Sequence, residues 1–295
     1  MKIGFIGVGN MGGPMCRNIV RNTNHQVVVF DLNPDAAAAC TALGASAAAS
    51  VAALAAECDV ILTSLPMPSH VEAVALGADG IAAHARAGST YIDLSTNAPE
   101  TARKVAAAMA ARGIAMLEAP VSGGTARAEA GTIVIMVGGE TQGFEAQRPL
   151  LASFSAEQVH VGEVGMGSTA KLINNMLAFC NAAAAAEALA LGAAAGIDMK
   201  KLYDVISNAS GDSPQFRKVA QTGFAGDFSA TFALDLAHKD LRLALAMADG
   251  LGVPGMIAPQ VMTLMRIARA AGYGGQDSAA VLRVYEDALR RPIGR

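Results

Sequence analysis

Three polar side chains set close together in one apolar stretch are the first residues able to do chemistry. In Gly167-Ser168-Thr169-Ala170-Lys171-Leu172-Ile173-Asn174-Asn175, the two asparagines follow Lys171 by three and four positions, so on a helix all three project to one face. That helix would be the most apolar of the chain. A lysine there is partly desolvated, and a cation bound beside it would lower its pKa further from the about 10.4 of a free lysine. The amine could then accept an alcohol proton or return one to a carbonyl oxygen. Taken alone, Lys171 reads first as a surface lysine whose stem lies along a helix start. Two other segments carry groups that a small anion needs. Asp93-Leu94-Ser95-Thr96 is one, and Ser122-Gly123-Gly124 is the other. Consecutive N–H groups free of bulky side chains make a nest for a carboxylate, although a simple turn would use the same residues. Phe232 and Lys239-Asp240 lie far downstream and by themselves read as core and surface.

A second constellation concerns phosphate. Gly7-Val8-Gly9-Asn10-Met11-Gly12 follows the first expected strand and opens the first expected helix, the context that gives a GxGxxG match its meaning. Gly7 permits the tight turn, Gly9 lets the backbone approach a pyrophosphate, and Gly12 allows helix to pack on sheet. The helix N-terminus then offers unpaired N–H groups to the anion. Asp31 ends the run VVVFD, where a carboxylate can accept ribose hydroxyls and repel a 2′-phosphate. Leu32, Asn33 and Pro34 follow it without a basic residue, so NAD is expected as cofactor and NADP is disfavoured. Leu65-Pro66 ends another expected strand, at the carboxyl edge where ligands of such sheets bind.

The elements that must position these residues read as two domains. Strands are expected over 2–6, 26–30, 59–65, 90–94, 114–117 and 132–137, alternating with helices over 11–21, 35–43, 69–75, 99–111 and 141–152, the pattern of a doubly wound parallel sheet. From about 164 onward strand-like runs stop and helix formers dominate. The fold class is therefore α/β, an N-terminal Rossmann domain over 1–163 followed by an all-α domain over 164–295 that serves substrate binding and oligomerisation. A long helix over 168–195 links them. Apolar residues on nearly every face of that helix imply burial all round, and its Ala-rich second half suggests a contact between copies, a homodimer or homotetramer.

Composition excludes other classes. With 22 basic against 25 acidic residues and no basic run, the chain offers nothing to neutralise a nucleic acid backbone. Cys16, Cys40, Cys58 and Cys180 form no ligand cluster, so buried reduced thiols in a cytoplasmic protein are expected, with no metal. No signal peptide is legible at Met1, and residues 176–195 contain Asn181 and Glu187, which favours a soluble helix over a membrane span.

Taken together, FIGVGNMGGPM at the start, SLP at 64–66, DLST at 93–96, APVSGG at 119–124, GSTAKLINN at 167–175 and HKDL at 238–241 resemble the β-hydroxyacid dehydrogenase family, over nearly the whole chain. Departures are small: Val8 stands where Leu is commoner, and Cys16 where Ala or Ser is commoner. The resemblance implies that Asn10, Met11, Leu65, Pro66 and Thr96 line the dinucleotide and that Ser122, Gly123 and Gly124 hold a substrate carboxylate. It implies Lys171 as acid/base, Asn174 and Asn175 as groups orienting substrate oxygens, Lys239 as a cofactor contact supported by Asp240, and Phe232 as a pocket wall. The implied activity is NAD-dependent hydride transfer on a small hydroxy acid or semialdehyde. VFDLNPD and the run APVSGGTARAEAGT favour 3-hydroxyisobutyrate as substrate, with tartronate semialdehyde or another short semialdehyde as the alternative. Imine reductases share the fold but generally lack a lysine at this position. A non-catalytic dinucleotide-binding module would not be expected to keep Lys171, both asparagines and Ser122.

Overall fold

The computed structural model describes residues 1–295. Its elements run β1 (Lys2–Ile6), α1 (Gly12–Asn22), β2 (Gln26–Phe30), α2 (Pro34–Thr41), β3 (Ser46–Ala47), α3 (Val51–Glu57), β4 (Val60–Thr63), α4 (Pro68–Leu76) and α5 (Ile81–His84). They continue β5 (Thr90–Asp93), α6 (Pro99–Ala110), β6 (Ala115–Glu118), β7 (Val121–Ser122), α7 (Gly124–Glu129), β8 (Ile133–Gly138), α8 (Thr141–Ala152) and β9 (Ser155–Gly162). Helices α9 (Met166–Ala195), α10 (Met199–Ser207), α11 (Pro214–Ala225), α12 (Leu234–Gly250), α13 (Ala258–Ala270) and α14 (Val281–Leu289) complete the chain, with a 3-10 turn at Ser278–Ala280. The chain divides into compact units Met1–Lys171 and Leu172–Arg295. The division falls inside α9.

The first unit is a doubly wound sheet. Its strands run β3-β2-β1-β4-β5-β6-β8-β7, with β9 on β8. Strands β1 to β6 are mutually parallel, β6 and β7 each pair antiparallel with β8, and β9 runs parallel to it. Alternate residues of each strand feed opposite faces. Ile3, Phe5, Val29, Leu62 and Ile92 pack with Met15, Ile19 and Leu151 on one side. On the other, Val28, Ile61, Tyr91 and Met116 pack with Leu54, Ala75, Val105 and Met109. Burying side chains such as Leu62 or Ile61 completely stabilises the fold by about 2 kcal/mol each.

The register sets up the ligand edge. Thr63 pairs with Asp93 across β4 and β5, and Asp93 with Glu118 across β5 and β6, so three polar residues end adjacent strands on the carboxyl side.

The second unit is helical. Its core joins Phe179, Ala182, Ala186 and Leu189 of α9 to Phe216 and Val219 of α11, Leu234 and Leu241 of α12, Met262 and Met265 of α13, and Leu282 of α14. By length and composition α9 alone could cross a membrane. Its Ala182, Ala183, Ala185, Ala186 and Ala190 form part of that core. Burial is not all round, as its composition had implied: Ile173, Leu177 and Leu191 are 50%, 60% and 71% exposed. Apolar content says that a face avoids water, and within one chain this face has no cover. Cys180 is half-buried, whereas Cys16, Cys40 and Cys58 are fully enclosed.

Candidate active site

Each compact unit carries part of the constellation. At the end of β1, Gly7 has φ +85°, and a Cβ there would stand 2.5 Å from the Ser64 carbonyl oxygen. A Cβ on Gly12 would stand 1.9 Å from the Gly7 carbonyl oxygen, closer than any side chain can come. The fold itself thus demands both glycines. Gly9 is different: it is exposed, and an added Cβ would meet nothing within 4 Å. Its lack of a side chain serves whatever approaches from outside, and the first N–H groups of α1 face an incoming anion from the same turn.

Asp31, at the end of β2, is half-buried. Its carboxylate accepts the Val8 N–H at 2.8 Å and the Asn33 N–H at 2.8 Å, which locks the phosphate turn to the strand beside it. One amide per oxygen leaves acceptor capacity for a hydroxyl pair. Asp31 also lines a cavity of about 650 Å³ together with Gly7, Gly9, Leu32, Leu65 and Pro66. Among the lining residues, which also include His70 and Asp79, there is no lysine or arginine.

The two neighbouring loops are tied together. The Leu65 N–H donates to Ser95 Oγ at 2.9 Å, joining the Ser64-Leu65-Pro66 segment to the one that holds Thr96. Beneath them Asp93, 1% exposed, accepts from Thr63 Oγ1 at 2.8 Å, the Ser95 N–H at 3.1 Å and Asn97 Nδ2. Burial pushes its carboxyl up to about 6 against the pull of the Ser95 and Thr63 hydrogen bonds, and the nearby Glu118 carboxylate pushes the same way. Asp93 was visible in the sequence only as part of a polar segment. Ser95 belonged to the same segment but its partners could not be read there, and Asn97, which completes the network, was missed.

Ser122 ends β7, and Gly123 and Gly124 open α7 with φ of +142° and +72°. A Cβ on Gly124 would meet nothing within 4 Å, so there is open space on that side of the residue. Asn18 of α1 donates to the Ala128 carbonyl at 2.8 Å, tying the helix of the phosphate turn to α7.

Lys171 lies in the second turn of α9 and is 7% exposed. Four residues on, Asn175 is also buried, and its Nδ2 donates to Asp240 Oδ2 at 2.7 Å. Asn174 is exposed and donates to Asn175 Oδ1 at 3.1 Å. Lys239 Nζ lies 3.0 Å from Asp240 Oδ1, and both residues are buried. Asn174, Asn175, Asp240 and Lys239 therefore form one connected chain between α9 and α12. Phe232 stacks on Phe179, with ring centres 6.2 Å apart, and its N–H donates to Asp277. Of the other downstream cations, Arg217 is paired with Asp212 and Lys218 with Asp277.

Similarity to known proteins decides the family. The model of the NAD-binding domain of 6-phosphogluconate dehydrogenase matches residues 2–162, and that of the NAD-binding domain of NADP-dependent 3-hydroxyisobutyrate dehydrogenase matches residues 165–285. The chain belongs to the β-hydroxyacid dehydrogenases. It is 40% identical to 2-(hydroxymethyl)glutarate dehydrogenase of Eubacterium barkeri over 97% of this chain and 95% of that protein. It is 39% identical to 3-hydroxyisobutyrate dehydrogenase of Pseudomonas aeruginosa over 96% and 98%. The crystal structure of 3-hydroxyisobutyrate dehydrogenase from Salmonella typhimurium superposes with TM-score 0.88 at 35% identity, covering 96% and 99% of the two chains. Other relatives are named for L-serine, L-threonate and 3-sulfolactaldehyde, and a related structure at 30% identity holds NADP+. Imine reductase structures match at 20% identity or below with TM-scores near 0.63, which is a likeness of fold. This β-hydroxyacid dehydrogenase is thus an NAD(P)-dependent oxidoreductase of small hydroxy acids.

Proposed function

We propose that this dehydrogenase uses NAD and acts first on 3-hydroxyisobutyrate, giving methylmalonate semialdehyde. The observation that carries the chemistry is the burial of Lys171 one turn inside α9, which shields its side chain from water. The nicotinamide, when bound, supplies the acceptor for the hydride leaving the hydroxyl-bearing carbon. Nζ of Lys171 takes the hydroxyl proton as that carbon becomes a carbonyl, and in the reverse direction it returns the proton to the carbonyl oxygen. Asn174 and Asn175 orient the substrate oxygens, Ser122, Gly123 and Gly124 hold the carboxylate, and Phe232 walls the pocket. Gly7, Gly9, Asn10, Met11, Gly12, Asp31, Leu65, Pro66 and Thr96 hold the dinucleotide. Lys239 and Asp240 are assigned to it on the resemblance.

NAD rather than NADP is supported by the Asp31 carboxylate and the absence of a cation from the cavity lining. The range of substrates named for the relatives supports tartronate semialdehyde or another short semialdehyde as the second reading, since any of them presents a carbonyl or hydroxyl to the same lysine. The bare face with Ile173, Leu177 and Leu191 supports a homodimer or homotetramer, which sedimentation of the purified protein tests.

The deciding assay sets wild type against Lys171→Ala, with NAD and NADP, on 3-hydroxyisobutyrate, L-serine, glycerate and tartronate semialdehyde. Wild type should turn over 3-hydroxyisobutyrate fastest, and the variant should lose about a thousandfold in kcat while binding NADH normally. Full turnover in the variant would remove Lys171 from the reaction.

A further inference from the structure

We infer that Glu118 is a positioning residue for Lys171, clamping the first turn of α9 so that the buried amine has one fixed place. This rests on the proton-transfer reading of Lys171.

Glu118 ends β6 and is 1% exposed. Its carboxylate accepts the N–H groups of Gly165, of Gly167 at 2.9 Å and of Ser168 at 3.2 Å, together with the Ser168 hydroxyl. The free amides of a helix start are normally met by a residue of the same segment or by water. Here a strand end 47 to 50 residues earlier meets them, so the first turn of α9 is held by the end of β6 rather than merely capped. The socket is built for the carboxylate: a Cβ on Gly138 would stand 2.4 Å from Glu118 Oε1, and one on Gly167 would stand 3.3 Å from its Cδ and 2.7 Å from the Met136 carbonyl oxygen.

A buried carboxylate is costly. Desolvation pushes Glu118 above the usual carboxylate range, against the pull of the Ser168 hydroxyl and the three amides. A serine cap would satisfy a helix start without that cost. What the carboxylate adds is several simultaneous bonds that fix the first turn of α9, at the positive end of a 30-residue helix. Lys171 follows Ser168 by three residues, about 4.5 Å along the helix axis, so little slack separates the clamp from the amine. A displacement of about 1 Å at a reacting group can cost on the order of a hundredfold in rate.

The test is Glu118→Gln, which keeps the shape but turns an amide NH2 toward backbone donors. The expected result is a fall in kcat of about tenfold or more, with KM and the NADH dissociation constant within about twofold. Hydrogen exchange at the amides of Gly165, Gly167 and Ser168 should rise about tenfold. Glu118→Asp, which keeps the charge on a shorter stem, should recover part of both losses. Faster exchange with undiminished kcat would show a clamp that does not place the lysine, and unchanged exchange would show no clamp; either overturns the inference. Should Glu118→Gln not fold, Ser168→Ala removes one donor and must slow turnover by about twofold or more at unchanged KM; an unaltered kcat rejects the inference. Lys171→Ala separates the two ideas. If it abolishes turnover while Glu118→Gln does not, only the positioning role fails; if it leaves turnover intact, the proton-transfer reading fails and the positioning role with it.

Discussion

The carboxyl edge of the sheet and the α9–α12 pair hold their polar groups by different means. At the sheet edge, Asp31 accepts the Val8 and Asn33 amides, Asp93 accepts the Ser95 amide, and Glu118 accepts three amides of the α9 start. Backbone donors do much of the holding. Between α9 and α12, Asp240 instead accepts from the Asn175 side chain and pairs with the Lys239 side chain. A backbone amide is present whatever the residue, whereas a side-chain donor vanishes with one substitution. The first arrangement leaves its trace in glycines and short turns; the second is a mutual agreement between residues 65 positions apart.

The sharpest way to break this comparison is at Asp240. Alanine there takes the carboxylate from a buried ammonium and a buried amide, and removing one partner of such a pair typically costs about 3–5 kcal/mol. Asp240→Ala should therefore lower the urea midpoint substantially. Asp240→Asn, which can still accept from Asn175, should cost less. Equal losses in the two variants would mean that the charge dominates over the hydrogen bond, contrary to the network described.

The next effect is electrostatic and belongs to the sheet edge. Asp93 is pushed up to about 6 in the fold, from an ordinary value of 3.8. The folded chain then binds this proton more tightly than the unfolded chain does. The group's contribution to stability is therefore greatest below about pH 4 and is lost as pH rises through about 6, a change of about 3 kcal/mol at most. Asp93→Asn should flatten that part of the stability profile, measured as unfolding free energy at pH 4.5 and pH 7. A slope identical to wild type would exclude Asp93 as its source.

What was legible in the chain follows the same division. The phosphate turn could be read because Gly7 and Gly12 are demanded by contacts within a few residues of sequence or by one neighbouring strand. The strands of the parallel sheet were readable as apolar runs because helices cover both their faces. The strand Ser155–Gly162 was missed, since only Ser155 in it is buried and its exposed residues mix polar and apolar types without alternation, and the two-residue strands Ser46–Ala47 and Val121–Ser122 carry no periodicity to detect. Helix spacing put Lys171 and Asn175 on one face, and both are buried, but the partners that hold Asn175 could not be read from it. Glu118 looked like the polar end of a strand, with nothing local to say that α9 would begin on it. The expectation that α9 is buried on every side failed for a related reason: composition records which residues avoid water, not which molecule covers them.

The smallest expected effect sharpens the comparison at Asp31. Its carboxylate accepts two backbone amides at 2.8 Å, and in Asp31→Ala the amide of exposed Asn33 can turn to water, whereas that of Val8 belongs to a buried residue. Stability should fall less than at Asp240, by about 1–2 kcal/mol for the Val8 donor left without its acceptor. Cofactor choice should change. Losing the acceptor for the ribose hydroxyls should raise the KM for NAD about tenfold, equivalent to about 1.4 kcal/mol. Losing the negative charge should lift the penalty on a 2′-phosphate, so the preference for NAD over NADP narrows from both sides. Adding Leu32→Arg supplies a cation beside the same cavity, which Leu32 lines, and should carry the preference toward NADP. Steady-state kinetics with both cofactors decide it. A ratio of kcat/KM values unmoved by either change would mean that the Asp31 carboxylate serves only to brace the Val8 and Asn33 amides.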